Sequence, residues 1–219
     1  MQIEVLEMRR TVKTIATLCA AVVLCMLLGG HTAHAAAFDA GYYANRYPDV
    51  VAVLGTDPAV LQKHYQEYGF GEGRYQNAEE EAAGVPAKEL FQPLDGYSTY
   101  VDVSIDDQTM TCFIDGHAVL HCDCVTGDVT KQQGTPRGVY SVLVRLEYTY
   151  LIGPTWKSWV DRWMKFTESG CGLHDAQWRS RFGGEIYKGD GSHGCVNLPH
   201  GVALRLYDMV DVGTVVVVH

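Results

Sequence analysis

Apolar positions recur at two different periods along this chain. Between residues 38 and 77 the spacing is helical. Phe38-Asp39-Ala40 with Tyr42 and Tyr43 predicts a short helix closed near Pro48. Thr56-Asp57-Pro58 reads as a helix start, with Thr56 or Asp57 as cap and proline in the first turn. Val60, Leu61, His64, Tyr65 and Tyr68 follow at helical spacing, and Gly69, Gly71 and Gly73 are expected to stop that helix. Residues 78–95 read as a linker. Glu79-Glu80-Glu81 is a solvated acidic run, and Gly84, Pro86 and Pro93 interrupt regular structure.

From residue 96 the period shortens to that of strands. Tyr97 to Ile105 alternates, with Val101, Val103 and Ile105 on one face. Asp106-Asp107-Gln108 is a turn. Thr109–Ile114 and His117–Val125 flank Asp115-Gly116, a strong two-residue hairpin signal. Val139–Leu146 is a further strand. Tyr148 to Phe166 is rich in Tyr and Trp without a clean period, and Trp156, Trp159 and Trp163 suit either a substrate groove or a cap on the core. Val202–Met209 reads as a short helix, and Val212–Val218 as a buried strand closing the fold. Many short strands with one or two helices predict a mainly β domain over 96–219, preceded by a small α-helical module over 38–77.

Residues 1–37 read as a targeting segment. Arg9, Arg10 and Lys13 precede an apolar stretch, Ile15 to Leu28, and Ala33-His34-Ala35 has the small residues of a cleavage site. A signal peptide is expected, with an uncleaved membrane anchor as the alternative. The rest of the chain is then exported, to the cell wall, the outer face of the membrane or beyond.

Composition adds little to this. The 219 residues are 47% apolar and 20% charged, as in ordinary globular proteins. The formal charge of −9 and the lack of a large Lys/Arg cluster argue against a nucleic-acid partner. Oligomeric state is not legible. Of seven cysteines, Cys19 and Cys25 leave with a cleaved leader. Cys112, Cys122, Cys124, Cys171 and Cys195 remain. His121-Cys122-Asp123-Cys124 lacks the usual metal-ligand spacing and a partner pair, so strand cysteines are expected there. Setting Cys195 aside leaves an even number, compatible with disulfides.

Candidate chemistry lies in Ser192-His193-Gly194-Cys195-Val196-Asn197-Leu198, preceded by Gly189-Asp190-Gly191. A thiolate nucleophile needs a base to form it and room for a substrate. Local spacing makes His193 that base, because residues two apart on an extended strand share a face. Gly194 leaves space for a substrate carbonyl, and backbone N–H groups there suit an oxyanion hole. A second histidine stands upstream in Gly172-Leu173-His174-Asp175, with seventeen residues between it and Ser192. A buried structural cysteine in a Gly-rich turn is the alternative.

This arrangement resembles the signature of the L,D-transpeptidases (YkuD-like domains). Gly134-Thr135-Pro136-Arg137-Gly138-Val139-Tyr140 resembles a strand motif of that family, and Cys171 to Ala176 with Trp178-Arg179 and Phe182-Gly183-Gly184 resembles the segment around its upstream histidine. The resemblance covers roughly residues 96–219. It implies a β-sandwich-type fold with a short helix, and a flap over the site within Tyr148–Phe166. It also implies peptidoglycan stem peptides as substrate: Cys195 attacks the carbonyl of the third stem residue, expels the terminal D-alanine, and passes the acyl group to a second stem as a 3→3 cross-link. Water as acceptor gives an L,D-carboxypeptidase instead, and an inactive wall-binding protein is the third reading. The family pattern moves the base to His174, oriented by the backbone carbonyl of Asp175, and leaves His193 to shape the site. Ser192, Asn197 and Trp163 are the candidate substrate contacts, with Ser192 and Asn197 better suited to holding the loop. No metal or organic cofactor is needed for this chemistry. The pattern Tyr-x-x-x-x-Pro-Asp-Val with His64-Tyr65, Tyr68-Gly69 and Glu72-Gly73-Arg74 resembles a helical repeat of bacterial surface proteins. Its tyrosines suit either wall binding or packing against a core.

Overall fold

The computed structural model describes residues 37–219, so the expected leader with Cys19 and Cys25 lies outside the described residues. Helix α1 (Ala40–Arg46) is capped by Asp39, whose carboxylate accepts the Tyr42 N–H. The proline expected only to close it opens a second helix, α2 (Pro48–Leu54). Proline suits a first helical position, where its fixed φ is already helical and its missing N–H has no partner to lose. Helix α3 (Pro58–His64) is capped by Asp57, which accepts the N–H groups of Ala59 and Val60.

Two glycines play another part than expected. The chain continues past Gly69 through a π turn (Tyr65–Gly69) and a last turn (Phe70–Glu72), and ends only at Gly73, with φ 73°. A Cβ on Gly69 would collide with the Tyr43 hydroxyl, and one on Gly71 would lie 2.6 Å from the Val119 carbonyl oxygen. Their missing side chains let this segment press against α1 and the sheet below. Gly73 alone supplies the left-handed residue that ends the helix.

The stretch 78–95, expected as a linker, also carries structure. Asn77 caps α4 (Ala78–Ala83) by accepting the Glu80 N–H, and a 3-10 turn spans Ala87–Leu90. Glu80 is buried and bonds both the backbone and the side chain of Gln76. The acidic run is therefore solvated only in part, because one of its members ties the helix down.

Nine strands follow, in two sheets. They are β1 (Tyr100–Ser104), β2 (Thr109–Ile114), β3 (His117–Asp123), β4 (Gly138–Ser141), β5 (Val144–Ile152), β6 (Lys157–Lys165), β7 (Gly172–Asp175), β8 (Val196–Leu198) and β9 (Val215–Val218), with helix α5 (His200–Met209) before the last. One sheet has the order β3-β2-β1-β9-β4 and the other β5-β6-β7-β8. Pairing is parallel between β1 and β9 and between β7 and β8, and antiparallel elsewhere. The hairpin signal is realised with both turn residues at positive φ, Asp115 at 51° and Gly116 at 82°. Val101, Val103, Val216 and Val218 share one core with Met164, Leu173, Val196, Val202 and Leu206. The continuous apolar run of β9 has its reason in its place between β1 and β4. Val217 on its other face joins a second core with Tyr100, Phe113 and Ala118.

That second core is where the helical segment packs. Tyr43, Tyr47, Val50, Leu61, Tyr65 and Phe70 bury themselves against the back of the first sheet. Most tyrosines of the repeat-like motif are thus spent on packing, and Tyr68 stays exposed. Among the described residues no helix is long and apolar enough to cross a membrane.

His121 sits at this junction, with its ring 4.5 Å from Phe91 and 5.6 Å from Phe70. Thr111 Oγ1 meets its Nδ1 at 2.8 Å. Burial pushes its pKa down to about 4. The folded pKa lies below the unfolded one, so the stability is present above the unfolded value near 6.5 and is lost as pH falls toward 4. Acidification over that window is expected to cost about 3 kcal/mol through this group. Urea titrations of wild type and His121→Gln at pH 7 and pH 4 check it, and an unchanged acid sensitivity in the variant would refute it.

Candidate active site

The parallel pairing of β7 with β8 builds the site. Leu173 stands beside Val196 and His174 beside Asn197, and just ahead of β8 the Cys195 sulfur takes a hydrogen bond from the Gly172 N–H. Residues two apart on a strand share a face. Gly172 and His174 therefore put the imidazole and the Cys195 thiol on the same side of the sheet. On the neighbouring strand β6, Trp163 lies opposite His174, with their rings 5.7 Å apart. The same indole shares an apolar patch with Cys195 and Val160. Trp163 is 7% exposed and Cys195 9%. Gly172 is the residue that permits this, because a Cβ there would lie 2.6 Å from the Trp163 ring and 2.7 Å from the Met164 carbonyl oxygen.

His174 is buried, and its Nδ1 lies 2.8 Å from the Asp175 carbonyl oxygen. A carbonyl only accepts, so Nδ1 carries the proton and Nε2 keeps its lone pair. Burial lowers the His174 pKa, with the Asp175 carbonyl opposing the shift, and favours the neutral imidazole. The Asp175 carboxylate is fully buried and accepts the backbone N–H groups of Asp161 (2.8 Å) and Arg162 (2.9 Å) and the Gln177 amide (3.0 Å). Asp161 in turn accepts from Trp159 Nε1 and lies 2.8 Å from His200 Nε2. Among the described residues, Asp161, Asp175 and His200 form the one group with metal-ligand spacing, and these hydrogen bonds already engage all three. They brace the backbone that aims His174.

The cysteine loop is held just as closely. Ser192 Oγ donates to the Cys195 carbonyl at 2.6 Å and accepts the Gly194 N–H at 3.0 Å. Gly194 has φ 114°, so the run is not extended there and the local His193–Cys195 pairing does not form. His193 is exposed and stacks on Trp156 at 4.9 Å, at the tip of the β5–β6 hairpin, while Cys195 turns inward. Asn197 is buried, and its backbone exchanges two hydrogen bonds with Val125. Ser192 and Asn197 thus hold the loop from within. The Gly194 N–H, expected as an oxyanion donor, is taken by Ser192. Burial pushes the Cys195 pKa up to about 12, and the Gly172 N–H partly offsets this. Burial thus favours the neutral form of both groups, the thiol and the imidazole.

Two residues hold the cysteine loop in roles the sequence reading did not assign. Thr135 accepts the Gly127 N–H (2.9 Å) and donates to the Gly194 carbonyl (3.0 Å), so the Gly134-Thr135-Pro136 motif reaches across to the cysteine loop. Asp128 is buried under the same loop, and hydrogen bonds from Lys131 and Thr130 hold its carboxyl well below the usual range. A Cβ on Gly191 would meet the Asp128 backbone at 2.6 Å. Cys171 stands next to this loop without bonding it, its sulfur lying against Gly194. The remaining thiols, Cys112, Cys122 and Cys124, are buried in the main core and free, and burial raises the pKa of each.

The chain matches the L,D-transpeptidase catalytic domain (YkuD) over residues 98–218. Its fold is similar to that of an Enterococcus faecium L,D-transpeptidase studied as a cysteine-to-serine mutant, with 36% identity and TM-score 0.54 over 56% of this chain and 50% of that one. The catalytic domain of the E. faecium enzyme acylated by ertapenem is 37% identical, with TM-score 0.51 over 56% of this chain and 97% of that domain. An L,D-transpeptidase from Mycobacterium tuberculosis H37Rv is 26% identical, with TM-score 0.51 over 56% of this chain and 57% of that one. The chain thus spans about half the length of the longer enzymes it matches. No curated protein sequence matched it.

Thr135→Val tests how the loop is held. It leaves the Gly127 N–H and the Gly194 carbonyl without their partner, which is expected to cost about 2–3 kcal/mol. Chemical denaturation measures this, and a loss under about 0.5 kcal/mol would show that Thr135 does not anchor the loop.

Proposed function

The chain belongs to the L,D-transpeptidase (YkuD) catalytic-domain family, and from that premise we propose that it is a peptidoglycan L,D-transpeptidase acting through a Cys195 thioester. The observation that carries the reading is the shared face of β7 and β8, where Trp163 bridges His174 and Cys195 and the His174 Nε2 is left free. His174 is the base. It takes the thiol proton as the sulfur attacks the carbonyl of the third stem residue, and returns it to the departing D-alanine amine. The thiol needs this help, because burial leaves it protonated at neutral pH. With the Gly194 N–H engaged by Ser192, the oxyanion donor is the Cys195 N–H. The side-chain amine of a second stem then attacks the thioester, giving a 3→3 cross-link. The His193–Trp156 stack ties the β5–β6 hairpin tip to the cysteine loop. The reaction takes place outside the membrane, a placement supported by Arg9, Arg10 and the apolar stretch Ile15–Leu28.

Incubation with a carbapenem followed by peptide mass spectrometry is expected to find the adduct on Cys195. An adduct on another cysteine overturns the assignment, and no adduct at all favours an inactive wall-binding protein. His174→Ala is expected to slow acylation by at least about 100-fold. His193→Ala is expected to slow it by less than about tenfold, since it removes only the stack on Trp156. The acid limb of acylation is expected to have its midpoint below about pH 6.5, because burial keeps His174 neutral to lower pH than a free imidazole. A limb above pH 7 would assign the base elsewhere. Purified tetrapeptide stems separate the acceptors: dimers support cross-linking, and tripeptides alone identify a carboxypeptidase.

A further inference from the structure

A second thiol stands beside the nucleophile, outside the mechanism above. Cys171 immediately precedes β7, as Cys195 immediately precedes β8, and the two strands pair in parallel. The Cys171 sulfur lies 2.9 Å from the place a Gly194 Cβ would occupy. The Cys195 sulfur, for its part, is 3.9 Å from the Gly170 carbonyl oxygen and takes a hydrogen bond from the Gly172 N–H. Each sulfur therefore rests on the main chain next to the other cysteine. Gly170 and Gly172 flank Cys171 and give its backbone latitude to swing. The other three thiols are sealed in the main core.

We propose that Cys171 is a resolving thiol, and that peroxide converts the Cys171–Cys195 pair to a reversible disulfide. His174 takes the Cys195 thiol proton as the sulfur attacks one oxygen of hydrogen peroxide. The O–O bond breaks, a sulfenic acid forms, and hydroxide leaves and collects a proton as water. Cys171 then gives up its proton and attacks the sulfenyl sulfur, the S–O bond breaks, and the hydroxide released takes that proton as a second water. Two thiols and one peroxide give one disulfide and two waters. A dithiol reductant restores both thiols by exchange. The pairing stands on geometry alone, while its consequence for activity rests on the reading of Cys195 as nucleophile.

The test treats the reduced full-length chain and its Cys171→Ser and Cys171→Ala variants with hydrogen peroxide, maps peptides without reduction, and then measures carbapenem acylation. Wild type is expected to show a Cys171–Cys195 linkage and at least about a tenfold loss of acylation, reversed by dithiothreitol. The variants are expected to acylate normally when reduced, but to lose the adduct irreversibly as Cys195 passes to sulfinic acid. Sulfinic Cys195 in wild type with Cys171 still free would overturn the proposal, as would a linkage to Cys112, Cys122 or Cys124. A Cys171–Cys195 linkage in a protein that takes no carbapenem even when reduced would leave the pairing standing and defeat the nucleophile assignment.

Discussion

The register between β7 and β8 is the constraint on which the site depends. Two short parallel strands, four and three residues long, bring together chain segments more than twenty residues apart. A slip of one residue would turn Cys195 or His174 to the opposite face and part the thiol from the imidazole. Much of what surrounds these strands therefore fixes register. The bridge from Val125 to Asn197 pins β8 from one side, and β6 pins β7 from the other through Trp163 and His174. The buried Asp175 carboxylate adds a side-chain lock by collecting two N–H groups of β6. Short strands alone would leave register weakly specified.

The same economy explains the polar residues under the cysteine loop. A turn with a residue at φ 114° exposes backbone groups that no ladder satisfies, and buried orphans are costly. Ser192, Thr135 and Asp128 each answer one or more of them. Their hydrogen bonds hold the thiol in a buried place where it is a poor thiolate. On the proposed mechanism this makes the neutral, buried His174 necessary: the base has to be supplied by position, since the surroundings do not ionise the sulfur for it.

Much of this was legible in the sequence where the signal was local. Asp115-Gly116 marked a hairpin, Asp57-Pro58 a helix start and the run Val212–Val218 a buried strand, realised over Val215–Val218, because turn chemistry and apolar runs act over a few residues. The mainly β architecture with a short helix followed from the same patterns. What could not be read was anything decided by contact across the chain. Gly69 and Gly71 looked like helix stops, but they are close-approach positions against Tyr43 and Val119. Glu80 looked solvated within an acidic run until its bonds to Gln76 were seen. His193 and Cys195 looked paired by spacing, a reading that holds only for extended backbone, and the left-handed Gly194 breaks it. The place of His174 came from resemblance rather than from its own residues.

The helical segment shows how far the site's support reaches. The first sheet is sandwiched, with the main core on one face and a tyrosine-rich core on the other. Sheets with two covered faces read as continuous apolar runs, which is why β9 does not alternate. Removing residues 38–77 would expose Tyr100, Phe113 and Val217 together and leave His121 without Phe70. Burial of this kind, at about 25 cal/mol per Å², makes the segment part of the fold rather than an appendage to it. The β1–β9 pairing lies between that core and the main one, and α5 connects β8 to β9 along the chain. The helical segment thus steadies the cysteine loop indirectly, through the sheet against which the site is built.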